Sequence, residues 1–141
     1  PRFKPHLIDR FLIAALKGNL FPVIVINKID LLEKDALEKE KIMNFKKLYT
    51  DLGYTVLLTS IKKTSTFTPL KKVMLQKSSV FSGQSGVGKS ALINKLTSSK
   101  LKVGLLTSKL QGKHTQHSCL IFKQEDFVLI LLALEVLEYR A

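Results

Sequence analysis

Apolar and polar positions follow two different rhythms along this chain. In "HLIDRFLIAALKGN" the spacing of Leu7, Ile8, Phe11, Leu12 and Ala15 places one apolar face on a helix, with Gly18 as its stop. "FPVIVIN" follows, a β-branched run of the kind found in strands buried on both faces. The charged stretch from Leu31 to Leu52 predicts an amphipathic helix with Leu37, Phe45, Leu48 and Leu52 toward the core. "YTVLLTS" predicts a second buried strand ending in a polar turn. Beyond a Lys/Thr/Ser-rich loop, a short helix is predicted from near Pro69 and a third strand at "SSVFSG". That strand runs into "GQSGVGKSALINKL", a glycine turn opening a helix. The segment 97–118 is polar, basic and aperiodic, and predicts a long loop; "CLIF" and "FVLIL" then predict two strands that pair with each other. Alternation of strand and helix argues for an α/β fold with a mostly parallel sheet covered on both faces.

Composition narrows the class. A chain of 141 residues suits one compact domain, and 45% hydrophobic residues are enough for a core. The charge of +12, from 23 Lys plus Arg against 11 Asp plus Glu, favours a polyanionic partner, with RNA or the ribosome ahead of a membrane surface. One cysteine, Cys119, forms no internal disulfide and fits a reducing cytoplasm. Arg2, Lys4, Asp9 and Arg10 interrupt the apolar stretches at the start, so no secretory signal is read there. The chain opens on Pro1 rather than Met, as a fragment does. The terminal run "FVLILLALEVLEYRA" is shorter than the roughly 20 apolar residues a bilayer span needs, and Glu135 interrupts it.

The strongest chemical signal is Gly83-Gln84-Ser85-Gly86-Val87-Gly88-Lys89-Ser90, which fits G-x-x-x-x-G-K-[ST] between a strand and a helix. Glycines let backbone N–H groups face phosphate oxygens, and the helix N-terminus adds positive potential. Lys89 would reach the β- and γ-phosphates, and the Ser90 hydroxyl would meet Mg²⁺. The second signal is Asn27-Lys28-Ile29-Asp30 at the end of a buried strand, where ligands of open α/β sheets bind. The Asp30 carboxylate there can accept the ring N–H and exocyclic amine of guanine, a pair adenine does not offer. Asn27 would tie this loop to the phosphate loop, and the Lys28 stem would cover the base. The competing reading is that Asn and Asp at a strand end only cap the next helix. A weaker third element is Thr59-Ser60-Ile61-Lys62, whose backbone N–H groups would read the guanine carbonyl; a plain turn explains it equally well.

The order of the motifs is unusual, because N-K-I-D precedes the phosphate loop. Loops that share one edge of a sheet keep their positions when the termini are moved, so a circular permutation explains the order. With "LIDRFLIAA…PVIVINKIDLL", "GQSGVGKSALINKL" and "GKHTQHS", the chain resembles the circularly permuted GTPases of the ribosome-small-subunit-dependent GTPase A family, from about Leu7 to about Phe122. The resemblance implies a P-loop NTPase three-layer α/β/α sandwich with permuted GTPase topology. It also implies GTP and GDP binding with Mg²⁺, and GTP hydrolysis stimulated by the small ribosomal subunit late in that subunit's assembly. A monomer in the cytoplasm contacting ribosomal RNA is the matching expectation. Family members carry an oligonucleotide-binding barrel before this domain and a zinc-binding domain after it, and the resemblance here covers the central domain only. Carried over by position, Thr115 would meet Mg²⁺ and His114 would orient the attacking water; Gln116 stands where the family has a second Thr. His114, His117 and Cys119 lack the fourth ligand that structural zinc requires.

One departure is serious. The family's Asp-x-x-Gly turn, whose Asp holds Mg²⁺ and whose Gly senses the γ-phosphate, has no counterpart after Asp9, Asp30, Asp35, Asp51 or Asp126. At the expected place stand Leu129-Ile130-Leu131-Leu132-Ala133-Leu134-Glu135. Among the codon sets that encode that stretch, TTG ATT CTC CTG GCG TTA GAA gives Asp-Ser-Pro-Gly-Val-Arg when read two bases later. Residues 1–128 are therefore read as an incomplete GTPase domain and 129–141 as an out-of-frame tail, with hydrolysis impaired. Two alternatives stand beside this reading: a nucleotide-binding remnant without turnover, and an unrelated P-loop ATPase or kinase in which N-K-I-D is coincidence.

Overall fold

A computed structural model describes residues 5–75, 78–82, 89–97, 104–106, 119–122 and 128–135. Helix α1 spans Pro5–Lys17, strand β1 Phe21–Asn27, α2 Ala36–Asp51, β2 Thr55–Leu58 and α3 Phe67–Met74. Strand β3 spans Ser78–Ser82, α4 Lys89–Thr97, β4 Gly104–Leu106, β5 Cys119–Phe122 and β6 Val128–Glu135. Two 3₁₀ turns, Ile29–Lys34 and Thr64–Thr66, follow β1 and β2. The strands form one sheet in the order β2-β1-β6-β3-β5-β4. β2, β1, β6 and β3 run parallel, while β5 is antiparallel to β3 and β4 antiparallel to β5.

Strand β1 shows why the sheet carries helices on both faces. Its side chains alternate, so Val23 and Val25 join a core with Phe67, Leu70 and Met74 of α3, Phe81, and Leu92, Ile93 and Leu96 of α4. Ile24 and Ile26 join the opposite core with Ile8 and Leu12 of α1, Leu32, Val56, and Ile42, Phe45 and Tyr49 of α2. The continuous apolar run of β1 is thus a strand buried twice over. The described helices and strands make a mixed α/β architecture with a mostly parallel core to the sheet. None of the described helices is long and apolar enough to cross a membrane.

Several sequence expectations hold in detail. On α1, Ile8, Leu12 and Ala15 are buried and Phe11 is half-buried. The helix ends just before Gly18, and the left-handed residue that closes it is Asn19 (φ 53°). Gly53, at φ 92°, closes α2 in the same way and lets the Tyr54 N–H donate to the Tyr49 carbonyl at 3.0 Å.

Others need correction. Residues 31–52 are not one helix, because Asp35 ends the 3₁₀ turn and caps a new helix by accepting from the Glu38 N–H at 3.1 Å. Only Phe45 of the four residues expected in its core is buried, whereas Leu37, Leu48 and Leu52 are 73%, 57% and 62% exposed. The buried stripe is Ile42, Phe45 and Tyr49, centred on two aromatic rings stacked 4.3 Å apart. Rings of that size outweigh leucines in choosing the face. Helix α3 starts at Phe67, ahead of Pro69, because the 3₁₀ turn leads straight into it. Strand β4 falls inside the segment expected to be loop throughout. Strands β5 and β6 do not pair with each other, since β3 lies between them and bonds to both. Their partners are chosen by long-range register, which local pattern does not encode.

Candidate functional site

Parallel strands bring their C-terminal ends to one edge. Ile26 of β1 is level with Leu58 of β2, so the chain leaves both strands side by side, at Asn27 and at Thr59. Strand β3 runs the same way and ends at Ser82, ahead of residues 83–88 and of α4, which begins at Lys89. The N-K-I-D loop therefore rises from the same edge at which β3 ends, where open α/β sheets bind ligands.

The two loops beside each other are knitted together by polar contacts. The Thr59 N–H donates to the Ile26 carbonyl at 2.8 Å, and the Ile29 N–H donates to the Thr59 carbonyl at 3.2 Å. Asn27 is 1% exposed, and its Oδ1 accepts the Thr59 hydroxyl at 3.2 Å. Lys28 then adopts the left-handed conformation, φ 62° and ψ 36°, which turns the chain sharply into the 3₁₀ helix. That turn presents Asp30 to the second loop. Its Oδ1 accepts the Ser60 hydroxyl at 2.7 Å, and its Oδ2 lies 3.1 Å from the Lys62 ammonium.

Ser60 is itself fully buried and held from three sides. Its N–H donates to Thr66 Oγ1 at 3.0 Å, its carbonyl accepts the Lys63 N–H at 3.0 Å, and its Oγ accepts the Lys62 N–H at 3.2 Å. Outside this centre, the Lys63 ammonium pairs with Glu33. The electrostatic consequence is a carboxylate kept ionised. The Ser60 hydroxyl, and after it the Lys62 charge, hold the Asp30 carboxyl below its ordinary value against the opposing effect of burial. Lys63 does the same for Glu33, whose charge in turn raises the Lys63 ammonium.

This geometry separates the two readings of N-K-I-D. The helix that follows is capped by Asp35, and the 3₁₀ turn begins at Ile29, with Lys28 before it giving no side-chain cap. Asp30 instead directs its carboxylate across to a neighbouring loop. An oriented anionic pair of oxygens at the C-terminal edge is suited to two adjacent N–H donors on a planar ligand.

The structure brings together Asn27, Lys28, Asp30 and Ser60 among the residues singled out from sequence. Lys89 and Ser90 open α4. Gly83, Gln84, Ser85, Gly86, Val87 and Gly88, the side chains of Lys89 and Ser90, and His114, Thr115 and His117 lie outside the described residues. Sequence reasoning missed Thr66, which braces Ser60, and Lys63; Lys62 stands in the third element, but its pairing with Asp30 was not foreseen. The available signal was a cluster of hydroxyls and lysines after a buried strand, at the same edge as N-K-I-D.

An α/β sheet with a polar, carboxylate-bearing loop at its C-terminal edge defines a ligand-binding class rather than one protein. Comparison with known proteins goes further: a family model described as RsgA GTPase matches residues 1–130, and the chain belongs to that family. It is 41% identical over 117 residues to a small ribosomal subunit biogenesis GTPase RsgA of Bacillus velezensis, covering 82% of this chain and 39% of that protein. A protein of the same description from Borrelia garinii subsp. bavariensis is 38% identical over 132 residues, covering 92% of this chain and 41% of its own. A small ribosomal subunit biogenesis GTPase RsgA 2 of Oceanobacillus iheyensis is 41% identical over 143 residues, covering 99% of this chain and 48% of its own. The chain thus spans less than half the length of these curated relatives. No solved structure matches it significantly.

Proposed function

We propose that this chain is the guanine-nucleotide-binding part of a GTPase that assists late maturation of the small ribosomal subunit. The observation that carries the reading is Asp30, an ionised carboxylate fixed by Ser60 and Lys62 at the edge where β3 also ends. Guanine presents a ring N–H and an amine side by side, one donor for each carboxylate oxygen. Adenine presents an acceptor in place of the ring N–H, so the same carboxylate repels it. Asn27 and Thr59 hold the base loop against the sheet, and Ser60 positions Asp30.

The remaining roles follow from family membership and residue type. Gly83 to Gly88 would wrap the phosphates, with Lys89 on the β- and γ-oxygens. The hydroxyls of Ser90 and Thr115 suit a hard divalent ion such as Mg²⁺, which supplies charge neutralisation at the phosphates when bound. His114 would orient water. The polypeptide topology is read as a circularly permuted P-loop sandwich, because the base motif precedes the phosphate motif. The charge of +12 suits ribosomal RNA, mainly through phosphates. A cytoplasmic monomer fits this role.

A second reading is favoured by one specific observation: the chain has no Asp-x-x-Gly. Base and phosphate recognition then persist while γ-phosphate sensing and hydrolysis are impaired, as in a nucleotide-binding remnant. The out-of-frame reading of 129–141 rests on the same gap. Residues 128–135 nevertheless have a place in the sheet as β6, and the gene's DNA decides whether an Asp-x-Pro-Gly frame underlies them. Competition of GTP and ATP for bound fluorescent GDP tests the base reading: GTP should displace it and ATP should not. Displacement by ATP as efficient as by GTP would exclude it. Turnover in the presence of small subunits should be minimal, and stimulated turnover that Lys89→Ala abolishes would exclude the remnant.

A further inference from the structure

Both oxygens of Asp30 have partners within the chain. Oδ1 accepts the Ser60 hydroxyl at 2.7 Å, and Oδ2 pairs with the Lys62 ammonium at 3.1 Å. These are the same two oxygens that an adjacent ring N–H and amine would occupy. Each carboxylate oxygen has two lone-pair positions, so one partner on each can remain only where space and geometry allow it.

The two present partners differ in how easily they leave. Ser60 is fully buried, and its backbone and hydroxyl are fixed by Thr66, Lys63 and Lys62. Lys62 donates its backbone N–H to Ser60 Oγ, which anchors the root of its side chain beside Asp30. The rest of that side chain is different, because it is 71% exposed and its flexible stem can turn the ammonium out into water. Ser60 is therefore the permanent partner, and Lys62 the displaceable one.

We propose that Lys62 is an internal competitor for the base-reading carboxylate: its ammonium pairs with Oδ2 of Asp30, and a guanine that binds there must expel it. This inference rests on the guanine reading of Asp30 and adds a residue that sets the affinity of that site. The competing pair keeps the carboxylate charged and aimed, and it lowers affinity by the weight of one exposed ion pair. Such pairs are worth at most about a fivefold factor in an equilibrium. Lys63 has no such role, because it pairs with Glu33 outside the carboxylate that reads the base.

The experiment compares fluorescent GDP binding by the chain, by Lys62→Gln and by Lys62→Arg, at low salt and near 1 M salt. Lys62→Gln should bind GDP more tightly at low salt, by about two- to fivefold. Lys62→Arg keeps a cation beside Asp30 and should stay with the unaltered chain. At about 1 M salt the screening length shrinks to roughly 3 Å, so the gain should fall toward unity. Salt also weakens phosphate attraction, but equally in each protein, and the ratio removes it. Equal or weaker binding by Lys62→Gln at low salt, or a gain undiminished at high salt, would overturn the inference while leaving the guanine reading intact. Absence of GDP binding in all three would overturn both. The exposed side chain makes a folding defect a poor explanation for any of these results, and identical urea melts check this directly.

Discussion

The sheet and the loops above it are stabilised by opposite kinds of chemistry, although they meet at a single residue, Asn27. Below it, Val23 to Ile26 are fully buried between two apolar cores and contribute no charge. Above it, the loops at 28–35 and 59–66 are held by hydroxyls, two carboxylates and two lysines. Burial is worth about 25 cal/mol per Å² of apolar surface and is nearly indifferent to salt. Exposed ion pairs are each worth about 1 kcal/mol or less and are screened. The difference separates two tasks: the platform is rigid by burial, while the reading edge is held by contacts weak enough to be exchanged for a ligand.

The sharpest way to break the comparison is to damage the platform. Phe81 is fully buried among α3, α4 and β1, so Phe81→Ala should cost about 3–5 kcal/mol. Urea unfolding measures this, and a loss under about 1 kcal/mol would mean the core closes over the cavity. Tyr49 is an intermediate case, buried on the opposite face yet donating its hydroxyl to Asp9 of α1. Burial first, and the Asp9 carboxylate second, push its phenol up to about 12. Because the folded value is raised, its contribution is complete below the ordinary phenol value near 10 and is lost as pH rises toward 12. Tyr49→Phe should cost about 1 kcal/mol at neutral pH and flatten the alkaline limb of stability against pH. An unchanged alkaline limb in the variant would show that other groups produce it. The smallest effect belongs to the loops: Lys63→Gln removes the exposed pair with Glu33 and should cost less than about 1 kcal/mol, vanishing at high salt. A larger, salt-independent loss would place that pair with the platform instead.

What could be read from sequence follows the same division. The strands and the N-K-I-D and G-x-x-x-x-G-K-S motifs announce themselves locally, through β-branched runs and glycine spacing. Long-range choices do not. The buried face of α2 is not legible locally, because leucines recur at helical spacing while the aromatic pair Phe45 and Tyr49 does the packing. Pairing of β5 with β3 rather than with β6 depends on register between distant segments. Asp30 was identified by its motif, but its partners Ser60 and Lys62 stand 30 and 32 positions away, beyond any periodicity.

The central claim is that Asp30 reads the base, and a change of base specificity tests it most directly. Asp30→Asn replaces one acceptor oxygen with an amide donor, which suits xanthine, where a carbonyl stands in place of the guanine amine. Binding of GDP and of xanthosine diphosphate should be measured for both proteins. The account predicts that the unaltered chain prefers GDP and that Asp30→Asn prefers the xanthosine nucleotide, with GDP affinity reduced by a factor of about ten or more, the scale of one lost charged hydrogen bond. An Asp30→Asn protein that folds and binds GDP as tightly as before would contradict it.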